Sequence, residues 1–377
     1  MDKVAIASHF PRLKKCTAKH VILVSLASLL LSCTKAPTPY SWSLPHNVPI
    51  PLVPEDNPMT EEGVALGEAL FFDRALSVNQ TLSCADCHQP ALSFAESQKV
   101  SVGANGEALK RNALALVNVA YNASFTWAHN NLESIEKQIL IPLFNEHPIE
   151  MGVTGNESEI LRRFSTIEYK ALFKAAYGDE RASMNTIVKA LASYVRSLVS
   201  FNSPFDDYAY AGNDQALTKQ QIKGLNLFFS ERTECFHCHG GINFTQSSKH
   251  SFQAFSVQPF HNTGLYNEDG KGSYPLSDVG LYAITHNKRD MGKFRAPTLR
   301  NIELTAPYMH DGSIATLEEV IDFYARGGNY AEMPNPYRSP FIKGFTITEE
   351  EKAALVAFLQ SLTDQTFTKM HKRPEKK

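Results

Sequence analysis

Cysteine is scarce: six occur in 377 residues, two of them ahead of residue 34, too few for a disulfide scaffold of this size. A surplus of positive charge is missing too. The formal charge of −2 leaves no basic surface on which nucleic-acid binding could rest. No apolar run approaches the roughly 20 residues that a membrane-spanning helix needs. Sustained strand alternation is also absent. What the chain does have is 43% hydrophobic and 20% charged residues. That composition buries a core and excludes a disordered, collagen-like or coiled-coil architecture. At this length two domains are the default expectation.

The N-terminus reads as a leader. Arg12, Lys14, Lys15 and Lys19 precede the apolar run Val21 to Leu31, which ends at Ser32-Cys33. A basic stretch, a short apolar core and a small residue describe a secretory signal. Leu30-Leu31-Ser32-Cys33 resembles a bacterial lipoprotein box, which makes Cys33 the lipidated first residue of the mature chain; ordinary cleavage nearby is the alternative. Both predict export, and Thr34 after Cys33 favours the outer membrane, with the lipid as the only membrane contact. Residues 34–60 carry seven prolines and read as an extended tether.

The four remaining cysteines form two identical signatures, Cys84-Ala85-Asp86-Cys87-His88 and Cys235-Phe236-His237-Cys238-His239. C-x-x-C-H reads as c-type haem attachment. Two thiols one helical turn apart can add to the two vinyl groups of one porphyrin, and the next residue then faces the iron. Zinc would require further ligands at zinc-site spacing. The chain also repeats itself around these motifs. Leu66-Gly67-Glu68-Ala69-Leu70-Phe71-Phe72 precedes the first, and Lys223-Gly224-Leu225-Asn226-Leu227-Phe228-Phe229 the second. Downstream, Arg111 to Asn118 is echoed by Arg295 to Asn301. Apolar residues recur at helical spacing over 132–146, 157–176, 183–200, 218–230 and 347–362. Thr218–Gln221 and Thr348–Glu351 read as capped helix starts. The expected fold is mostly α, two cytochrome-c-like haem domains related by internal duplication. Their expected spans are 61–205 and 206–365, with a basic tail over 366–377.

With these elements in view, the sequence resembles the bacterial dihaem cytochrome c peroxidase and MauG family from about residue 60 to 365. The resemblance rests on the two haem motifs 151 residues apart, Asn118 to Trp127, Gln138 through Glu150-Met151-Gly152, and Phe294 to Gly312. It implies two covalent haems c, the N-terminal one reacting with peroxide and the C-terminal one transferring or storing charge. The family's reductively activated members place a distal histidine in a glycine-rich stretch, which here reads Val102-Gly103-Ala104-Asn105-Gly106. No histidine falls between His88 and His129, so His88 is the one protein ligand expected at the first haem. The resemblance sets Glu150 and Gln138 over the open face, where a carboxylate can shuttle the peroxide proton.

At the second haem, plain peroxidases carry a methionine fourteen residues after the histidine of the PYMHDG element. Here that position is Tyr324, as in MauG-like members, with His239 opposite and Met309 and Met333 as fallback ligands. A hard anionic phenolate favours oxidised iron. Trp127 corresponds to the family's relay between haems. His310 is expected to hydrogen-bond near the second haem without binding iron. A calcium ion is implied at Asn112, Thr305 and Pro307. Phe125-Thr126-Trp127, Ile141-Pro142-Leu143-Phe144 and His147 to Gly152 resemble the MbnH branch, whose members oxidise a tryptophan of a partner protein, here expected to be encoded nearby. The implied function is therefore peroxide-driven oxidation of a partner side chain through a high-valent dihaem state. One alternative is a peroxidase fed by a small cytochrome or copper protein. Another, of a different class, is a dihaem electron-transfer protein.

Overall fold

The structure is a computed structural model that describes residues 36–253 and 255–371. The expected signal peptide, Cys33 and the end of the expected basic tail lie outside the described residues. Among the described residues no helix is long and apolar enough to cross a membrane.

Helix α1 (Glu61–Phe71) leads to the first haem motif, which itself forms α2 (Cys84–Cys87). Then come α3 (Ile135–Phe144), α4 (Glu157–Arg163), α5 (Ile167–Tyr177), α6 (Met184–Ser197) and α7 (Pro204–Tyr210). Helix α8 (Lys219–Phe228) precedes the second motif at α9 (Phe236–His239). After it follow β1 (Phe260–His261), α10 (Tyr282–Thr285), β2 (Phe294–Arg295), α11 (Leu317–Ala325), α12 (Glu349–Gln360) and α13 (Gln365–Met370). The two short strands pair antiparallel with Phe260 opposite Arg295, the only sheet among the described residues.

The internal repeat in the sequence is a repeat in space. Helix α1 packs on α6 as α8 packs on α12. A Cβ on Gly67 would lie 1.9 Å from the Ala190 carbonyl oxygen, and one on Gly224 would lie 1.9 Å from that of Ala354. Only glycine permits either crossing. Asn118 and Asn301 are fully buried, adopt φ of +56° and +58°, and each starts a 3₁₀ turn. Their side-chain oxygens accept from the backbone of Ser200 and Asp364, 2.7 Å away in both cases. One apolar core surrounds α1, α3, α5 and α6, a second lies beneath α8, α11 and α12, and a third includes Trp127, Tyr274, Phe294 and Phe323.

Thr218 and Thr348 close capping boxes as expected, their hydroxyls accepting from Gln221 and Glu351 backbone N–H at 3.2 Å. The apolar stretch 157–176 is two helices instead of one. Phe164 is buried at the break, and Thr166 caps α5 by accepting from Tyr169 N–H. The proline-rich segment is extended, but from residue 36 it is docked: Tyr40 N–H bonds the Met59 carbonyl, Val48 is buried, and Tyr121 Oη donates to the Pro49 carbonyl. The start of the expected tail is likewise structured. Asp364 caps α13, and Phe367 is buried with its ring centroid 5.9 Å from that of Phe94.

Candidate active site

Both haem motifs open onto cavities. The first, about 370 Å³, is lined by Cys84, Cys87, His88, Trp127, Gln138, Glu150 and apolar side chains including Leu114, Phe125 and Leu191. Burial pushes the Cys84 thiol up to about 12 and the Cys87 thiol to about 11. These are neutral thiols and not thiolates poised for redox or metal work. His88 places Nδ1 2.9 Å from the Phe94 carbonyl oxygen. A carbonyl only accepts, so Nδ1 carries the hydrogen and Nε2 keeps a free lone pair. Phe94 reaches that position at φ +60°, a region costly for a bulky side chain.

Among the described residues lining this cavity, His88 is the only histidine. Glu150 is held by the glycine-rich stretch Val102 to Gly106. Ala104 N–H donates to the Glu150 carbonyl at 2.8 Å. A Cβ on Gly103 would lie 1.8 Å from the Ile149 carbonyl oxygen, so glycine is required for this approach. Desolvation raises the Glu150 carboxyl to about 7. Gln138 lies on the inward side of α3, and its buried Oε1 has no hydrogen-bond partner.

The second cavity, about 190 Å³, is lined by Cys235, Cys238, His239, Trp127, Tyr324, Met309 and His310. It repeats the first in detail. His239 Nδ1 lies 3.2 Å from the Phe244 carbonyl and 3.1 Å from that of Pro297, and Phe244 has φ +48°. Burial pushes Cys235 to about 11 and Cys238 to about 12. Tyr324 projects from α11, and burial in these apolar surroundings raises its hydroxyl. The phenol is therefore neutral unless a cationic centre faces it. Met309 also lines the cavity, whereas Met333 is 46% exposed and does not. His310 is stacked on Phe294, ring centroids 3.8 Å apart.

Trp127 lines both cavities, and its Nε1–H donates to the Asn112 carbonyl at 2.8 Å. A smaller cavity of about 60 Å³ lies beside it, and Asn112, Thr305 and Pro307 all line that one. Sequence reasoning missed Arg295. It is 4% exposed, lines all three cavities, and donates from Nε to the Thr126 carbonyl at 3.0 Å. No carboxylate pairs with it among the described residues, and burial lowers it to about 10. The signal available in the sequence was the repeat, in which Arg295 opens the stretch that echoes Arg111 to Asn118.

The profile of the family described as di-haem cytochrome c peroxidase matches residues 61–215. The chain is 35% identical over 329 residues to the cytochrome-c peroxidase IdrP1 of Pseudomonas sp. (strain SCT), covering 84% of each protein. It is 33% identical over 324 residues to the methylamine utilization protein MauG of Methylorubrum extorquens, covering 85% of this chain and 81% of that one. The chain belongs to the di-haem cytochrome c peroxidase family. Among solved structures, a MauG-like protein associated with microbial copper homeostasis shares 44% identity at a TM-score of 0.84, covering 87% of this chain and 97% of that one. As a member of this family of peroxidase-type oxidoreductases, the chain takes two haem groups.

The residues present fit them. Each cavity pairs two neutral thiols with an imidazole whose Nε2 is unprotonated, the form an iron requires. The buried Arg295 guanidinium, which no carboxylate pairs with among the described residues, would supply a cation for porphyrin carboxylates.

Proposed function

We propose that this chain is an exported enzyme that uses hydrogen peroxide to oxidise a tryptophan of a partner protein, with one haem domain over 61–205 and the other over 206–365. Bound haem supplies the electrons that cleave the O–O bond and stores the oxidising equivalents that result. Cys84 and Cys87 would hold the first group with His88 as the protein ligand. Cys235 and Cys238 would hold the second, with His239 and Tyr324. Glu150 takes a proton from one peroxide oxygen and returns it to the other, and a carboxyl near 7 is suited to both transfers. Gln138 orients the peroxide through its amide. Trp127, which lines both cavities, passes the electron between them. Asn112, Thr305 and Pro307 would hold a calcium ion that fixes the Trp127 segment, since Asn112 also accepts the indole N–H. Cleavage ahead of Cys33 would attach the mature chain to the outer membrane through lipid alone.

The observation that carries this reading is the first cavity. It sets a carboxyl of near-neutral pKa in a space where His88 is the only histidine, an arrangement an electron carrier does not require. Tyr324 in the place of a methionine, together with the likeness to MauG and the MauG-like protein, supports a partner side chain as the substrate. The names of several relatives favour a second reading, a peroxidase fed by a small redox protein. Resting-state spectra and mass analysis test the two. A high-spin first haem, with a mass change on a tryptophan of the co-expressed neighbouring gene product, supports the proposal. Two low-spin six-coordinate haems would refute it, and rapid turnover with a reduced cytochrome and no modified protein would favour the second reading.

A further inference from the structure

An aromatic cluster leads away from Trp127 toward the surface. His310 is its hub, with the rings of Trp127 at 6.5 Å and of Tyr266 and Tyr274 at 6.3 Å, centroid to centroid. Tyr266 and Tyr274 lie 5.5 Å apart. These separations are short for electron transfer between aromatic rings. The three oxidisable side chains differ in what receives their proton.

The Trp127 indole N–H faces a backbone carbonyl, which cannot take the proton. Tyr274 is 2% exposed, and its hydroxyl donates to the Asn262 side-chain oxygen at 3.2 Å, again no base. Tyr266 is different. Its hydroxyl donates to Asp311 Oδ2 at 2.5 Å, and the Ser313 backbone N–H holds the other carboxylate oxygen at 3.1 Å. Both Tyr266 and Asp311 are only half-buried, so the pair reaches solvent. Oxidising a phenol is favourable only when its proton leaves with the electron, and of the three only Tyr266 has an acceptor in place.

We propose that Tyr266, with Asp311 as its base, is the outlet at which an aromatic side chain of the partner protein is oxidised. The proposal rests on Trp127 bridging the cavities. In the step, Tyr266 gives one electron inward to an oxidised Trp127 and its proton to Asp311, leaving a tyrosyl radical beside a carboxylic acid. The radical takes an electron from the partner's aromatic ring, and Asp311 returns the proton to Tyr266. The partner side chain loses its own proton to water. Two such events supply the two electrons that, with two protons, convert one hydrogen peroxide to two waters.

The test uses the dihaem holoprotein without partner, mixed with one equivalent of peroxide in the presence of the radical trap 2-methyl-2-nitrosopropane. Adducts are located by peptide mass mapping, and haem absorption is followed in parallel. Wild type should carry the adduct on Tyr266. Tyr266→Phe should lose it, and Asp311→Asn, which keeps the tyrosine but removes the base, should lower it at least about tenfold. The haem response to peroxide should be the same in all three. A normal haem response with no adduct on Tyr266, or with equal labelling in Asp311→Asn, overturns the outlet and leaves the proposed function standing. Absence of any haem response overturns both.

Discussion

Replacing Glu150 by Gln removes a titratable group while keeping its shape, and it moves rate and stability in opposite directions. Burial raises the carboxyl from its ordinary 4.5 to about 7. At about 1.4 kcal/mol per pKa unit, ionising it in the folded protein costs about 3 kcal/mol. Partial solvent access reduces that to about 1–3 kcal/mol. The sign follows from proton binding. Below pH 4.5 both folded and unfolded chains are protonated and the penalty is absent. Between 4.5 and 7 the unfolded chain ionises first, so stability falls as pH rises, and above 7 the penalty is complete. The Gln variant should therefore be more stable than wild type at pH 8 by about 1–3 kcal/mol, with the gap closing toward pH 4. Its reaction with peroxide should be roughly 10²–10⁴ slower, because no carboxylate remains to move the proton. In wild type the same rate should climb through pH of about 7 as the base ionises. Stopped-flow mixing of the holoprotein with peroxide gives the rates, and denaturant unfolding at both pH values gives the stabilities. A variant less stable than wild type at pH 8, or one reacting within about threefold of it, would refute the reasoning.

Gly224→Ala forces a methyl against the Ala354 carbonyl and should cost about 3 kcal/mol or more, with haem occupancy at the second motif falling first on denaturant titration. With Tyr324 in the proposed ligand role, Tyr324→Met replaces a hard ligand by a soft one. Redox titration should show the second haem's potential rising while the first stays in place. Arg295→Gln removes the one buried cation that lines both cavities among the described residues, so both midpoint potentials should fall; unchanged potentials would mean that Arg295 does not sit against the cofactors.

What the sequence determined by itself is whatever depends on spacing along the chain. The two C-x-x-C-H motifs are local chemistry, legible at any distance from the rest of the fold. The capped starts at Thr218 and Thr348 are equally local, because a hydroxyl reaches only three residues on. The duplication was visible in Gly67 and Gly224, although why they are glycine was not. Helices from distant parts of the chain had to cross before the carbonyls of Ala190 and Ala354 stood where a side chain would be. Tertiary structure also decided the docking of the proline-rich segment and of α13. Neither segment shows strong periodicity, and each is held by a few distant partners such as Tyr121 and Phe94. The electrostatics were least legible of all. The resemblance points to Glu150, but neither its raised pKa nor the burial of Arg295 is visible until the surrounding elements exclude water from them. Desolvation is a property of neighbours in space, and those neighbours come from residues more than a hundred positions apart in the chain.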